Sequence, residues 1–137
     1  MKKKNLIFSV ALFFSILPMA LFTSCDKDTN CYLDVQVVKE GVINPISGEM
    51  MPGEKVSGAI VEVYQDGGTV YSKGVTGGDG VYSTYFSAPA IVKIKATLQL
   101  YNDAGAAAGQ LRGETSVRLV EGETTPAKIT LSNQIYY

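Results

Sequence analysis

The residues that could carry chemistry are few. They are Cys25 and Cys31, two Asp–Gly turns (Asp66-Gly67-Gly68 and Asp79-Gly80), the pair Glu121 and Glu123 around Gly122, and eight tyrosines. A cysteine sulfur can act as nucleophile, metal ligand or lipid acceptor. The chain has no histidine and no tryptophan, which removes imidazole acid/base work, Ser–His and Cys–His nucleophile pairs and the usual zinc sets. A calcium site needs about six or more oxygen ligands, yet the one acid near either Asp–Gly is Glu62, four residues before Asp66. Turn formation accounts for both dipeptides. Glu121 and Glu123 could be imagined as a two-carboxylate glycosidase pair, but alternation puts them on one strand face beside a turn, the pattern of a solvated hairpin. No glycine-rich run ends in Gly-Lys-Ser/Thr to hold a phosphate. The expectation is a protein that is not an enzyme and has no catalytic residue, metal or cofactor.

Charge narrows the partners. The 137 residues carry 12 Lys+Arg and 13 Asp+Glu, a net charge of −1. Three of the basic groups, Lys2, Lys3 and Lys4, lie in residues 1–24 with no acid, so residues 25–137 carry a net charge of −4. A chain of that sign does not neutralise phosphates, and no nucleic acid partner is expected.

The three lysines open an export signal. Leu6 to Phe22 is apolar apart from Ser9, Ser15 and Pro18, and Thr23-Ser24 leads into Cys25. A positive start, a short apolar run and small residues make a secretory signal peptide. The run is short for a membrane-spanning helix, which Pro18 would also kink. Leu21-Phe22-Thr23-Ser24-Cys25 resembles a bacterial lipobox of the Bacteroidota type, with Phe22 where an aliphatic residue is usual. The resemblance implies that Cys25 receives a diacylglyceryl thioether and becomes the first residue of the mature chain. Asp26-Lys27-Asp28 resembles the acidic tag that sends such lipoproteins to the cell surface. The implied address is the outer membrane, lipid-anchored, on the outer face. Two or more acyl chains, at roughly 0.8 kcal/mol per buried CH₂, hold a protein stably where one does not. The competing readings are an uncleaved N-terminal membrane helix and a soluble secreted protein. With Cys25 lipidated Cys31 stands alone; without the lipid the two could close a small disulfide loop. Cys31 is read as a small apolar residue at the domain edge.

These groups need a scaffold, and from Cys31 onward the dominant period is two. Leu33, Val35 and Val37 alternate with polar neighbours, as do Ala59, Val61 and Val63; Val92, Ile94, Ala96, Leu98 and Leu100; Val117 and Leu119; and Ala127, Ile129 and Leu131. This is strand patterning with one face on a core and one in water. Two less regular runs, 69–75 and 81–86, flank Thr76-Gly77-Gly78-Asp79-Gly80, whose composition predicts a hairpin turn. No segment beyond the signal keeps a helical stripe. Seven short strands around one core predict an all-β protein, a seven-stranded antiparallel Ig-like or prealbumin-like β-sandwich. The division is residues 1–24 signal peptide, 25–30 lipidated tether and 31–137 β-sandwich domain. Two long connections, 39–57 and 102–113, are rich in Gly, Pro and Ala and are expected to be loops.

A second resemblance lies in the centre. Gly58-Ala59-Ile60-Val61-Glu62-Val63, followed by Thr76-Gly77-Gly78-Asp79-Gly80-Val81-Tyr82, resembles the carboxypeptidase-regulatory-like (transthyretin-like) domain. Gly58, Ala59, Thr76, Gly80 and Tyr82 match its turn motif, while Gly77 stands where that family has an aspartate whose side-chain turn bond Asp79 would have to replace. The resemblance implies the sandwich and the role of a spacer or adhesion module, and carries no catalytic residue.

The function that follows is a non-catalytic, membrane-anchored binding module that docks an unknown protein, glycan or other envelope polymer through 39–57 and 102–113. The alternative is a structural accessory or spacer in a surface assembly, pilus-like or transport-associated. A weaker one is a carbohydrate-binding accessory, because alternation turns Tyr64, Tyr71, Tyr85, Tyr101, Tyr136 and Tyr137 toward solvent.

Overall fold

The computed structural model describes residues 27–137; Cys25, Asp26 and the signal segment lie outside the described residues. Among these the chain is all-β, with nine strands: β1 Cys31–Lys39, β2 Val42–Ile43, β3 Met50–Met51, β4 Ile60–Tyr64, β5 Tyr71–Val75, β6 Val81–Phe86, β7 Ile91–Tyr101, β8 Ala107–Arg118 and β9 Thr124–Leu131. Seven of them form two sheets, of order β6-β1-β9 and β5-β4-β7-β8, and β2 and β3 pair separately.

The alternation explains how the sheets face each other. Cys31, Leu33, Val35 and Val37 of β1 and Ala127, Ile129 and Leu131 of β9 share one buried cluster with Val61 and Val63 of β4 and Val92, Ile94 and Ala96 of β7. The polar residues between them form the solvent faces. Across the four-stranded sheet, Lys73, Glu62, Lys95 and Glu114 stand in one row. Opposite charges at every step stabilise such a row by a few tenths of a kcal/mol per pair.

Four expectations are corrected. The strands number nine rather than seven, because connection 39–57 is not all loop but carries the short β2–β3 pair. The antiparallel rule breaks at one pairing, because β1 and β9 run parallel, Tyr32 beside Thr124 and Lys39 beside Leu131. A parallel pair needs a crossover, and here nearly the whole domain between the two strands supplies it. The 76–80 segment is not a hairpin turn, since β5 and β6 belong to different sheets; it carries the chain from one layer to the other. Residues 107–113 are not loop but the first part of β8, paired with β7 from Ala107 opposite Tyr101 onward. Pairing along a long β7 overrides the weak strand preference of Ala and Gly.

The strand register gives the domain two ends. At the Cys31 end, Gly122 N–H donates to the Asn30 carbonyl (2.9 Å) and Leu119 N–H to that of Ala90 (2.8 Å), which gathers connections 87–90 and 119–123. At the Lys39 end, Lys39 N–H donates to the Glu54 carbonyl (2.8 Å) and Gly58 N–H to that of Thr76 (3.0 Å). The β2–β3 hairpin, the 76–80 corner, the 102–106 turn and the chain beyond Leu131 belong to this end.

Candidate functional site

The turn-motif residues form one cluster at the Lys39 end. Thr76 is the one buried polar side chain among the described residues, 4% exposed. Its hydroxyl donates to the Val56 carbonyl (2.7 Å) and accepts from Ala59 N–H (3.0 Å). Its own N–H donates to the Ala59 carbonyl (2.9 Å). One threonine thus ties the entry of β4 to the exit of β5. Gly80 holds φ +73°, a left-handed value that favours glycine. A Cβ there would meet Val37 O, Val56 N and Lys55 Cβ, each at 3.1 Å, where Val37 N–H also donates to the Gly80 carbonyl at 2.9 Å. Gly58 likewise has positive φ (+79°) and Ala59 is fully buried. Asp79 Oδ1 accepts from Val81 N–H at 3.1 Å, so a carboxylate does brace this turn. The Tyr82 hydroxyl lies 2.6 Å from Ser72 Oγ, and Ser72 Oγ lies 3.1 Å from Thr84 Oγ1, a small polar chain between the β5 and β6 edges. Every group here spends its hydrogen bonds on the fold.

The acids of the proposed export tag divide at the boundary of the described residues. Asp28 caps the start of β1: its carboxylate accepts from Asn30 N–H (3.0 Å) and from the Tyr32 hydroxyl (2.8 Å). Lys27 is exposed. Cys31 opens β1 fully buried and has no disulfide partner among the described residues. Burial pushes its thiol pKa up, and the nearby Glu121 and Asp28 charges push the same way. A thiol so placed stays protonated and packs as an apolar group.

The remaining candidates are separated. Asp66 pairs with Lys93, whose pKa that hydrogen bond raises, and Glu62 pairs with Lys73 at 3.2 Å. Glu123 contributes backbone, its carbonyl accepting from Tyr32 N–H at 3.0 Å. No three His, Cys, Asp or Glu side chains come together among the described residues. The tyrosines do not form one surface. Tyr64 and Tyr71 are cross-strand neighbours on the four-stranded sheet, Tyr32 and Tyr85 pair on the three-stranded one with ring centroids 6.2 Å apart, and Tyr136 lies under Arg112 at 5.1 Å.

A concentration of exposed apolar side chains lies in the 39–57 connection, which the sequence alone predicts to be loop. In β2–β3, Val42, Ile43, Met50 and Met51 are all at least half exposed and Ile46 at the tip is 95% exposed. The Asn44 side chain accepts from Ile46 N–H (2.9 Å), and Asn44 N–H donates to the Glu49 carbonyl (2.8 Å), which closes the hairpin on itself. A cleft of about 410 Å³ runs beneath it, lined by Val38, Lys39, Met50, Met51, Lys128 and Thr130 among others. Segment 40–54 holds three glutamates and no Lys or Arg. The available signal was two apolar pairs, Val42-Ile43 and Met50-Met51, flanking an Asn-Pro and a Gly.

Compared with protein-family models, curated proteins and solved structures, the chain gives no match. Among the described residues no helix is long and apolar enough to cross a membrane.

Proposed function

We propose that this chain is a non-catalytic lipoprotein module: a prealbumin-like β-sandwich tethered to the outer membrane through a lipid on Cys25, carrying a docking surface at its Lys39 end. The observation that carries the reading is polarity. The tether would enter at Cys31, and the nine residues of β1 at about 3.3 Å each place the β2–β3 hairpin roughly 30 Å away. The exposed apolar residues of that hairpin would therefore face outward from the membrane, toward a protein or envelope polymer. Apolar side chains rimmed by polar groups are a usual form of interaction surface.

The test is the intact mass of the native protein extracted from membranes, together with the distribution of Cys25→Ala. A chain beginning at Cys25 with added acyl mass, and a variant that leaves the membrane fraction with an unchanged melting temperature, are the expected results. Full membrane retention of Cys25→Ala refutes the tether.

A further inference from the structure

We propose that the β6 edge pairs with the β6 edge of a second copy of this chain. The argument is a comparison of the four edges of the two sheets. In an antiparallel ladder the bonded pairs alternate. Val37 N–H bonds the Gly80 carbonyl, so Tyr82 and Thr84, opposite Val35 and Leu33, turn their backbone groups to β1. Ser83 and Tyr85 turn theirs away from it. Among the described residues no strand lies on that side, Ser83 is exposed, and Tyr85 is 63% exposed. Val81 is already closed, its N–H on Asp79 and its carbonyl on Gly77 N–H.

The other edges carry the devices that block strand addition. On β9, Tyr32 N–H bonds the Glu123 carbonyl, which points the backbones of Pro126 and Lys128 outward: one has no N–H and the other is charged. On β5 the central outward residue is Lys73. On β8 the first half of the edge is covered, since Ser132 N–H donates to the Arg112 carbonyl (3.0 Å) and Gln110 exchanges two bonds with Tyr136, and beyond it the exposed residues Glu114 and Arg118 on the same side are charged. Against these, β6 reads Val-Tyr-Ser-Thr-Tyr-Phe, with no charge, no proline and no bulge in its register.

The edge is also self-complementary. A two-fold axis through Thr84 sets Ser83 opposite Tyr85 of the second copy and Tyr85 opposite its Ser83. That register uses every outward N–H and C=O of both residues and opposes no like charges. The nearest charge, Asp34, lies one strand back and accepts the Ser83 hydroxyl at 2.6 Å. The contact is isologous and closes at two copies, because the remaining edges are guarded. This pairing does not rest on the lipid anchor.

The test uses the natively processed chain purified in detergent. Sedimentation equilibrium is expected to show a monomer–dimer equilibrium. Ser83→Lys is expected to weaken it by about tenfold or more, while Ser116→Lys, an exposed site on β8, leaves it unchanged; at concentrations low enough that every chain is monomeric, both variants should melt with the unaltered chain. Chains carrying Ser83→Cys and Tyr85→Cys, co-expressed, should cross-link to each other more than either does to itself, which reads the register. A chain that is monomeric at every concentration, a dimer indifferent to Ser83→Lys, or cross-links formed only to a different protein would each overturn the proposal.

Discussion

Two turn segments at the same end of the domain meet opposite fates. The 76–80 corner is bonded to both sheets and buries Thr76 with its hydroxyl fully engaged. The 42–51 hairpin, with Pro45 and Gly48 in its turn, bonds mainly to itself and leaves five large apolar side chains in solvent. Turn composition alone does not separate the two. What separates them is whether a polar group in the turn finds partners on neighbouring strands, since an unmatched one cannot be buried. The corner is therefore architecture, and the hairpin is free to meet something else.

Substitutions can sharpen that contrast. The largest effect is expected beneath the corner. Val61, fully buried and opposite Gly74 of β5, becomes an unpaired buried charge in Val61→Asp, at a cost of about 3–5 kcal/mol. Loss of the cooperative unfolding transition, or a steep fall in the denaturant midpoint, is the readout. A midpoint equal to that of the unaltered chain would mean the inward face is wrongly assigned. Next is Thr76→Val, which keeps the volume and strands the Ala59 N–H and the Val56 carbonyl; about 2–3 kcal/mol should be lost. The smallest effect belongs to the hairpin. Ile46→Ser should move stability by no more than about 0.5 kcal/mol, measured by the same denaturant curve. A large loss there would erase the distinction, because the tip would then be packed.

The division between legible and illegible parts of the fold follows the same physics. Strands β1, β4 and β9 were readable because each alternates cleanly across a face buried on one side. The first half of β8 was not, since Ala107-Ala108-Gly109 and Gly113 look like loop. Their small size suits this position: a Cβ on Gly113 would run into the Thr130 backbone and the Ile129 side chain of β9. That demand comes from a strand sixteen residues further on and leaves no local period. The parallel partnership of β1 and β9 and the sheet change at 76–80 have no local signature either, because both are properties of layer assignment. At the candidate site, the motif residues were identifiable by type, but the two-bond role of the Thr76 hydroxyl and the exposure of Met50 and Met51 needed the surrounding strands.

The place of β1 in its sheet has a mechanical meaning. It is the central strand, bonded along one side to β6 and along the other to β9. A pull entering the domain at Cys31 runs along that strand and meets both ladders in shear, so many hydrogen bonds must fail together before the strand slides. A strand at a sheet edge, or a hairpin opened from its end, would instead peel one bond at a time. A chain held at its first strand and dragged by flow or by a partner at the far end would then resist extraction at the point where the force arrives.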